Sequence, residues 1–169
     1  MKLFAFYIGG SVPTSLIELH DVRFILAEKY EDTIDELKAS WWGTPESLHI
    51  DCWGELKSAD GHNVVLKPEP SRGDKKLYFV NLGGYDTADF NELHKNVFVV
   101  APTESKAKVR ALQMIRDWGS HHKDYMYDVE NCFCLDAAAA GKSLYIHLEE
   151  TATPEPFSLT CKYQPIGKK

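Results

Sequence analysis

The chain has 169 residues, enough to bury roughly 70% of the surface its unfolded form would expose, so a core needs neither disulfide nor metal. Its composition is that of an ordinary globular protein, 44% hydrophobic and 26% charged. The formal net charge of -6, with no basic stripe, argues against binding to a nucleic-acid backbone or to an anionic membrane.

The N-terminal run KLFAFYI stops after Ile8, the length of a strand rather than of a signal peptide or a membrane span, and ends in a Gly9-Gly10 turn. VRFILA, from Val22, is a second apolar strand. Ile34, Leu37 and Trp41 then recur at helical spacing behind Glu31 and Asp32, which favour the positive end of a helix. That helix is predicted to end at Trp42-Gly43, the glycine serving as a left-handed cap. LHIDCWGELK and NVVLKP are two further strands around an Asp60-Gly61 turn, and the polar EPSRGDK, Glu69 to Lys75, reads as a link. The pattern then restarts. KLYFVNL runs into Gly83-Gly84, VFVVA follows, and a helix carries Ala107, Ala111, Met114 and Trp118, capped by Thr103 or Ser105 and closed at Gly119. YMYDVENCFCL and LYIHLEE flank Ala140-Gly141, and the alternation Phe157, Leu159, Cys161, Tyr163 predicts one more strand at an edge.

The restart is a duplication. Sliding the chain by 74 residues lays Lys2 to Ala27 on Lys76 to Ala101 with nine of 26 positions identical, where chance gives roughly one or two. The expected architecture is α+β: two tandem ββαββ repeats, residues 1–70 and 76–150, related by a pseudo-two-fold. The sheet is mostly antiparallel with the helices packed on one face, and a tail follows at 151–169.

Several short motifs carry a family likeness: Ile8-Gly9-Gly10 and Leu82-Gly83-Gly84, Glu18-Leu19-His20-Asp21, KLYFVNLGGY from Lys76 to Tyr85, and Leu48 to Asp51. Over most of residues 1–150 the chain resembles a bacterial family known as domain of unknown function 1543, whose members carry one or two copies of the domain. The resemblance implies a bacterial source and an α+β fold, and it supplies no catalytic residues to carry over. Asp21 departs from a shared pattern, since the second copy has Lys95 there.

The repeated Glu-Leu-His raises the question of a site. Glu18 and His20 share a strand face, as do Glu92 and His94, at one end of an apolar stripe. In the structural reading they clamp the loop between residues 11 and 17. In a second reading Gly9, Gly10, Gly83 and Gly84 bring backbone close to a bound anion or peptide. In a third, Glu18, His20, Glu92 and His94 meet around Zn, Fe or Mn. Binding without catalysis, of a partner protein, a small molecule or a second copy of the chain and with no cofactor, is the leading expectation; a metal-dependent enzyme is the runner-up.

Other candidates are weaker. AAAAGKS lacks the first glycine of a phosphate loop and precedes a strand, so it reads as a small-residue linker. Cys132 and Cys134 with His121 and His122 fit no common zinc spacing. His49 and Asp51 form a general acid–base pair only if the strand is more than a surface strand, and the second copy keeps Asp128 without a histidine. Trp41, Trp53 and Trp118 suit a core, whereas Trp41 and Trp42 diverge by about 100° on a helix, so one of them is an exposed anchor. With Cys52 and Cys161, the cysteines read as free thiols of a reducing cytoplasm.

Overall fold

The computed structural model describes residues 1–86, 88–116 and 129–167, Glu130 by its backbone alone. In chain order these are β1 (Lys2–Gly10), β2 (Leu19–Ala27), α1 (Ile34–Ser40), β3 (His49–Glu55), β4 (Ser58–Ala59), β5 (His62–Lys67) and β6 (Lys76–Tyr85). There follow β7 (Glu92–Ala101), α2 (Glu104–Met114), β8 (Val129–Cys134), α3 (Asp136–Ala140), β9 (Tyr145–Glu150) and β10 (Thr160–Pro165). The fold is α+β and mostly antiparallel. It divides into two compact units, Met1–Ser58 with Glu155–Lys169, and Ala59–Pro154. These units differ from the sequence boundaries at 70 and 76, because β10 returns to the first and β5 belongs to the second.

In the first unit the strand order is β10-β3-β1-β2, every neighbour antiparallel, which puts β10 at the expected edge. Alternation sends Phe4, Phe6 and Ile8 of β1 to one face, where they meet Ile25, Ile50, Leu37 of α1, Trp41, Leu48 and Ile166. Burying each such side chain contributes about 1.5–3 kcal/mol.

The helix α1 is shorter than its spacing implied. It stops at Ser40, and Trp41 is extended (φ -76, ψ 130), so the predicted glycine cap does not form. The chain leaves the helix there because the Trp41 indole turns into the core, where its Nε1 donates to the Thr44 carbonyl at 3.2 Å. Gly43 is small for a different reason: a Cβ there would stand 2.6 Å from the indole. Trp42 is the exposed member of the pair, at 53%.

In the second unit β7-β6-β8 form one sheet, and β5 pairs with β9 in another, from His62 opposite Glu150 to Lys67 opposite Tyr145. The Asp60-Gly61 turn holds both residues at positive φ (49 and 76), the pairing that suits a tight hairpin. Asp60 is fixed by accepting from the Val100 amide at 3.0 Å and by its ion pair with Arg110. Thr103 caps α2 by accepting from the Lys106 amide, and Ala107, Ala111 and Ile115 join Tyr78, Val80, Leu82 and Val99 in a core. Met114, expected on that face, is half exposed, and Ile115 takes its place. Trp118 and Gly119 lie outside the described residues. Part of AAAAGKS is the one-turn α3 rather than a linker, and strand β9 follows it as expected.

The strand registers repeat with the sequence offset. Lys2 pairs with Ala27 and Gly9 with His20; Lys76 pairs with Ala101 and Gly83 with His94. The β1–β3 ladder shifts between Tyr7 and Ile8, and the β6–β8 ladder between Asn81 and Leu82, again 74 residues on.

Candidate metal centre

Gly9 and Gly10 are paired strand residues, not a turn: Gly9 lies opposite His20 on β2 and opposite His49 on β3. That double register is what assembles the site, since it sets two imidazoles on either side of a residue with no side chain. A Cβ at Gly9 would lie 2.6 Å from His20 Cδ2 and 2.9 Å from His49 Nε2, closer than real contacts allow. Next to His49 on the outer face comes Asp51, the residue that the β1–β3 register shift leaves without a partner on β1.

Asp51 therefore lies beside both imidazoles, and Glu18 beside that of His49. His20 Nε2 is 3.3 Å from Asp51 Oδ2, His49 Nε2 is 3.5 Å from the same oxygen, and His49 Nε2 is 3.7 Å from Glu18 Oε2. One ligand atom each from Glu18, His20 and His49 falls within 4.8 Å of the other two. His49 is 1% exposed, which corrects the reading of its strand as a surface strand, while Glu18 is about half exposed. Asp51 Oδ2 is itself buried and accepts no hydrogen bond among the described residues.

The rings are held from behind. His49 Nδ1 lies 2.9 Å from the Ser47 carbonyl oxygen, and the ring packs on Tyr163 of β10 with centroids 4.5 Å apart. Tyr7 stacks on His20 at 5.3 Å and 10°. The Tyr7 hydroxyl is pushed above its ordinary range by burial first and then by the Asp51 charge. Beside Asp51, the Cys52 thiol is pushed up to about 11 by burial, then by its hydrogen bond with Cys161.

The loop between residues 11 and 17 is tied at its start by groups other than Glu18 and His20. The Ser11 amide donates to Ser47 Oγ at 2.8 Å, and the Ser11 carbonyl accepts from the Thr44 amide at 2.8 Å. Glu92 and His94 are 3.8 Å apart at the matching place of the second unit. Asp128, His121 and His122 lie outside the described residues. Cys132 and Cys134 pack against the second core, and burial raises both thiols.

A family model described as Domain of Unknown Function (DUF1543) matches residues 15–66. The chain is also similar to the crystal structure of protein Il1583 from Idiomarina loihiensis, with 31% identity over 99% of each chain and a TM-score of 0.71. The chain belongs to the DUF1543 family. The segment matching DUF1543 contains Glu18, His20, His49 and Asp51, and excludes Glu92 and His94. No curated protein matches the chain. Among the described residues, no helix is long and apolar enough to cross a membrane.

In the sequence Glu18 and His20 stand out as a repeated motif, and His49 and Asp51 only as a separate pair. Joining them required the register of β1 with both neighbours. Tyr163 and the Cys52–Cys161 contact had no sequence signal beyond the alternation of the last strand.

Proposed function

We propose that this protein is a cytoplasmic binding module whose ligand is a divalent first-row metal ion, zinc foremost, held by Glu18, His20, His49 and Asp51. The observation that carries this reading is the spacing of the converging atoms. Tetrahedral zinc with bonds of about 2.0–2.1 Å separates its ligands by about 3.3–3.4 Å. Three separations, 3.3, 3.5 and 3.7 Å, lie at that edge length or a few tenths of an ångström above it, and the ligand atoms of Glu18, His20 and His49 lie within 4.8 Å of one another. A charge-assisted hydrogen bond to a carboxylate would be shorter, about 2.7–2.9 Å.

The duplication belongs to the same proposal. Two tandem ββαββ copies account for the nine identities and for the two ladders that shift 74 residues apart. The antiparallel pairing of β5 with β9 is what a local two-fold between copies gives. Ile50 and Val129 occupy matching places, opposite Ile8 and Leu82, yet His49 precedes the first and an aspartate precedes the second. On this reading the first copy keeps the second imidazole and the other copy has lost it.

The test is calorimetric titration of chelator-stripped protein with Zn2+. One ion per chain is expected, with affinity reduced at least about 100-fold in His20→Ala, whose ring is partly exposed and lies outside the buried core, and unchanged in His94→Ala. Absence of saturable binding, or equal binding by His20→Ala, would sink the proposal. A second reading, a metal-dependent enzyme, draws support from the exposure of Glu18: with His20, His49 and Asp51 as the three protein ligands, the half-exposed Glu18 carboxylate would serve as a base beside a fourth position taken by water. Metal-dependent hydrolysis of an activated ester that is lost in Glu18→Gln would favour it.

A further inference from the structure

Cys161 of β10 is the direct cross-strand partner of Cys52 on β3. Cys161 is exposed and Cys52 is half-buried. Directly opposed residues of antiparallel strands have Cα atoms about 4.5–5.5 Å apart. A disulfide spans Cα separations of about 4.4–6.8 Å, so these sulfurs bond by side-chain rotation with no displacement of strands. Cys132 and Cys134, successive same-face residues of one strand, have no such opposition.

The pair also brackets the metal ligands. Cys52 follows Asp51 directly. Two residues beyond Cys161, Tyr163 packs on the His49 ring, and the β10–β3 register shifts between Cys161 and Gln164. β10 is an edge strand, paired with β3 on one side only, and such strands open more readily than central ones. Fraying uncovers His49; a covalent tie beside the register shift prevents it and preorganises the ligand set.

We propose that Cys52 and Cys161 form a reversible dithiol–disulfide pair, oxidised by a low-molecular-weight disulfide, and that closing it tightens the metal site of the first unit. The Cys161 thiolate attacks one sulfur of the small disulfide, forming a mixed disulfide and releasing one small thiolate. Cys52 then loses its proton and attacks the Cys161 sulfur, expelling the second small thiolate. Two protein thiols are oxidised, and one disulfide is reduced to two thiols. The first half of the proposal stands by itself; the second rests on the metal reading.

The experiment equilibrates the full chain in glutathione buffers from reduced to oxidised, blocks free thiols by alkylation and maps disulfides by mass spectrometry. A Cys52–Cys161 linkage that forms and reverses with the buffer is expected. Both thiols alkylated at every ratio, or a linkage to Cys132 or Cys134 instead, overturns the pair. After glutathione is removed, Zn2+ affinity is expected to be roughly threefold or more tighter in the oxidised protein, with Cys161→Ser staying at the reduced value in both buffers. Equal affinities overturn the coupling alone. No zinc binding in either state overturns the metal reading and the coupling with it, while the mapping still decides the pair.

Discussion

His49 Nδ1 lies 2.9 Å from the carbonyl oxygen of Ser47, and that contact decides what the buried ring presents to the site. A carbonyl only accepts, so Nδ1 carries the proton and, in the neutral ring, Nε2 faces Glu18 and Asp51 with a lone pair. Acceptors facing acceptors repel unless positive charge lies between them. A backbone carbonyl fixing the outer nitrogen of an imidazole is also how metal-binding histidines are oriented. His49→Ala is expected to cost about 1–3 kcal/mol of stability in urea unfolding, through the unpaired Ser47 carbonyl and the lost contact with Tyr163, and to abolish Zn2+ binding by calorimetry.

Gly9→Ala separates metal binding from folding. The atoms that its Cβ meets belong to the rings of His20 and His49, and the partly exposed His20 is the one with room to shift outward, at the cost of its contacts with Tyr7 and Asp51. The variant is expected to fold, with a change in midpoint worth no more than about 1–3 kcal/mol, and to bind Zn2+ at least about tenfold more weakly. Wild-type affinity in this variant contradicts the arrangement of the two rings around Gly9.

The adjacent tryptophans are expected to behave oppositely in thermal unfolding. Trp41→Ala removes a buried indole from the first core and is expected to cost about 3–5 kcal/mol, whereas Trp42→Ala, at a half-exposed ring, costs under about 1 kcal/mol.

Alkaline pH is expected to weaken the second unit. Burial raises the Cys132 and Cys134 thiols above their ordinary 9.0, so the folded chain holds protons that the unfolded chain releases. Their contribution is fully present below pH 9.0 and is lost as pH rises through the higher folded values. The melting temperature should fall above about pH 9 in the wild type, and fall less in a Cys132→Ala/Cys134→Ala variant.

Much of this architecture is legible in the sequence. The strands and the Thr103 cap follow from local periodicity and capping chemistry, which neighbouring residues determine among themselves. The end of α1 was not legible, because Trp41 keeps helical spacing while its indole leaves the helix to reach the core. The partners of β5 and β10 are not legible either, since strand pairing across 78–88 residues for β5 with β9, or 107–116 for β3 with β10, leaves no local trace. The candidate site shares that fate. Glu18 and His20 are visible as a repeated motif, but their union with His49 depends on a glycine between two ladders, which reads as a turn until both registers are known.

The return of β10 to the first sheet has a consequence during synthesis. Between the last residue of β3 and the first of β10 the ribosome must add about 100 residues, roughly 5–20 s of translation. Throughout that interval the outer edge of β3 is bare and His49 lacks its aromatic cover. The nascent first sheet is therefore at its most adhesive while the residues between β3 and β10 are being made, and a chain cut before Thr160 would leave that edge open for good.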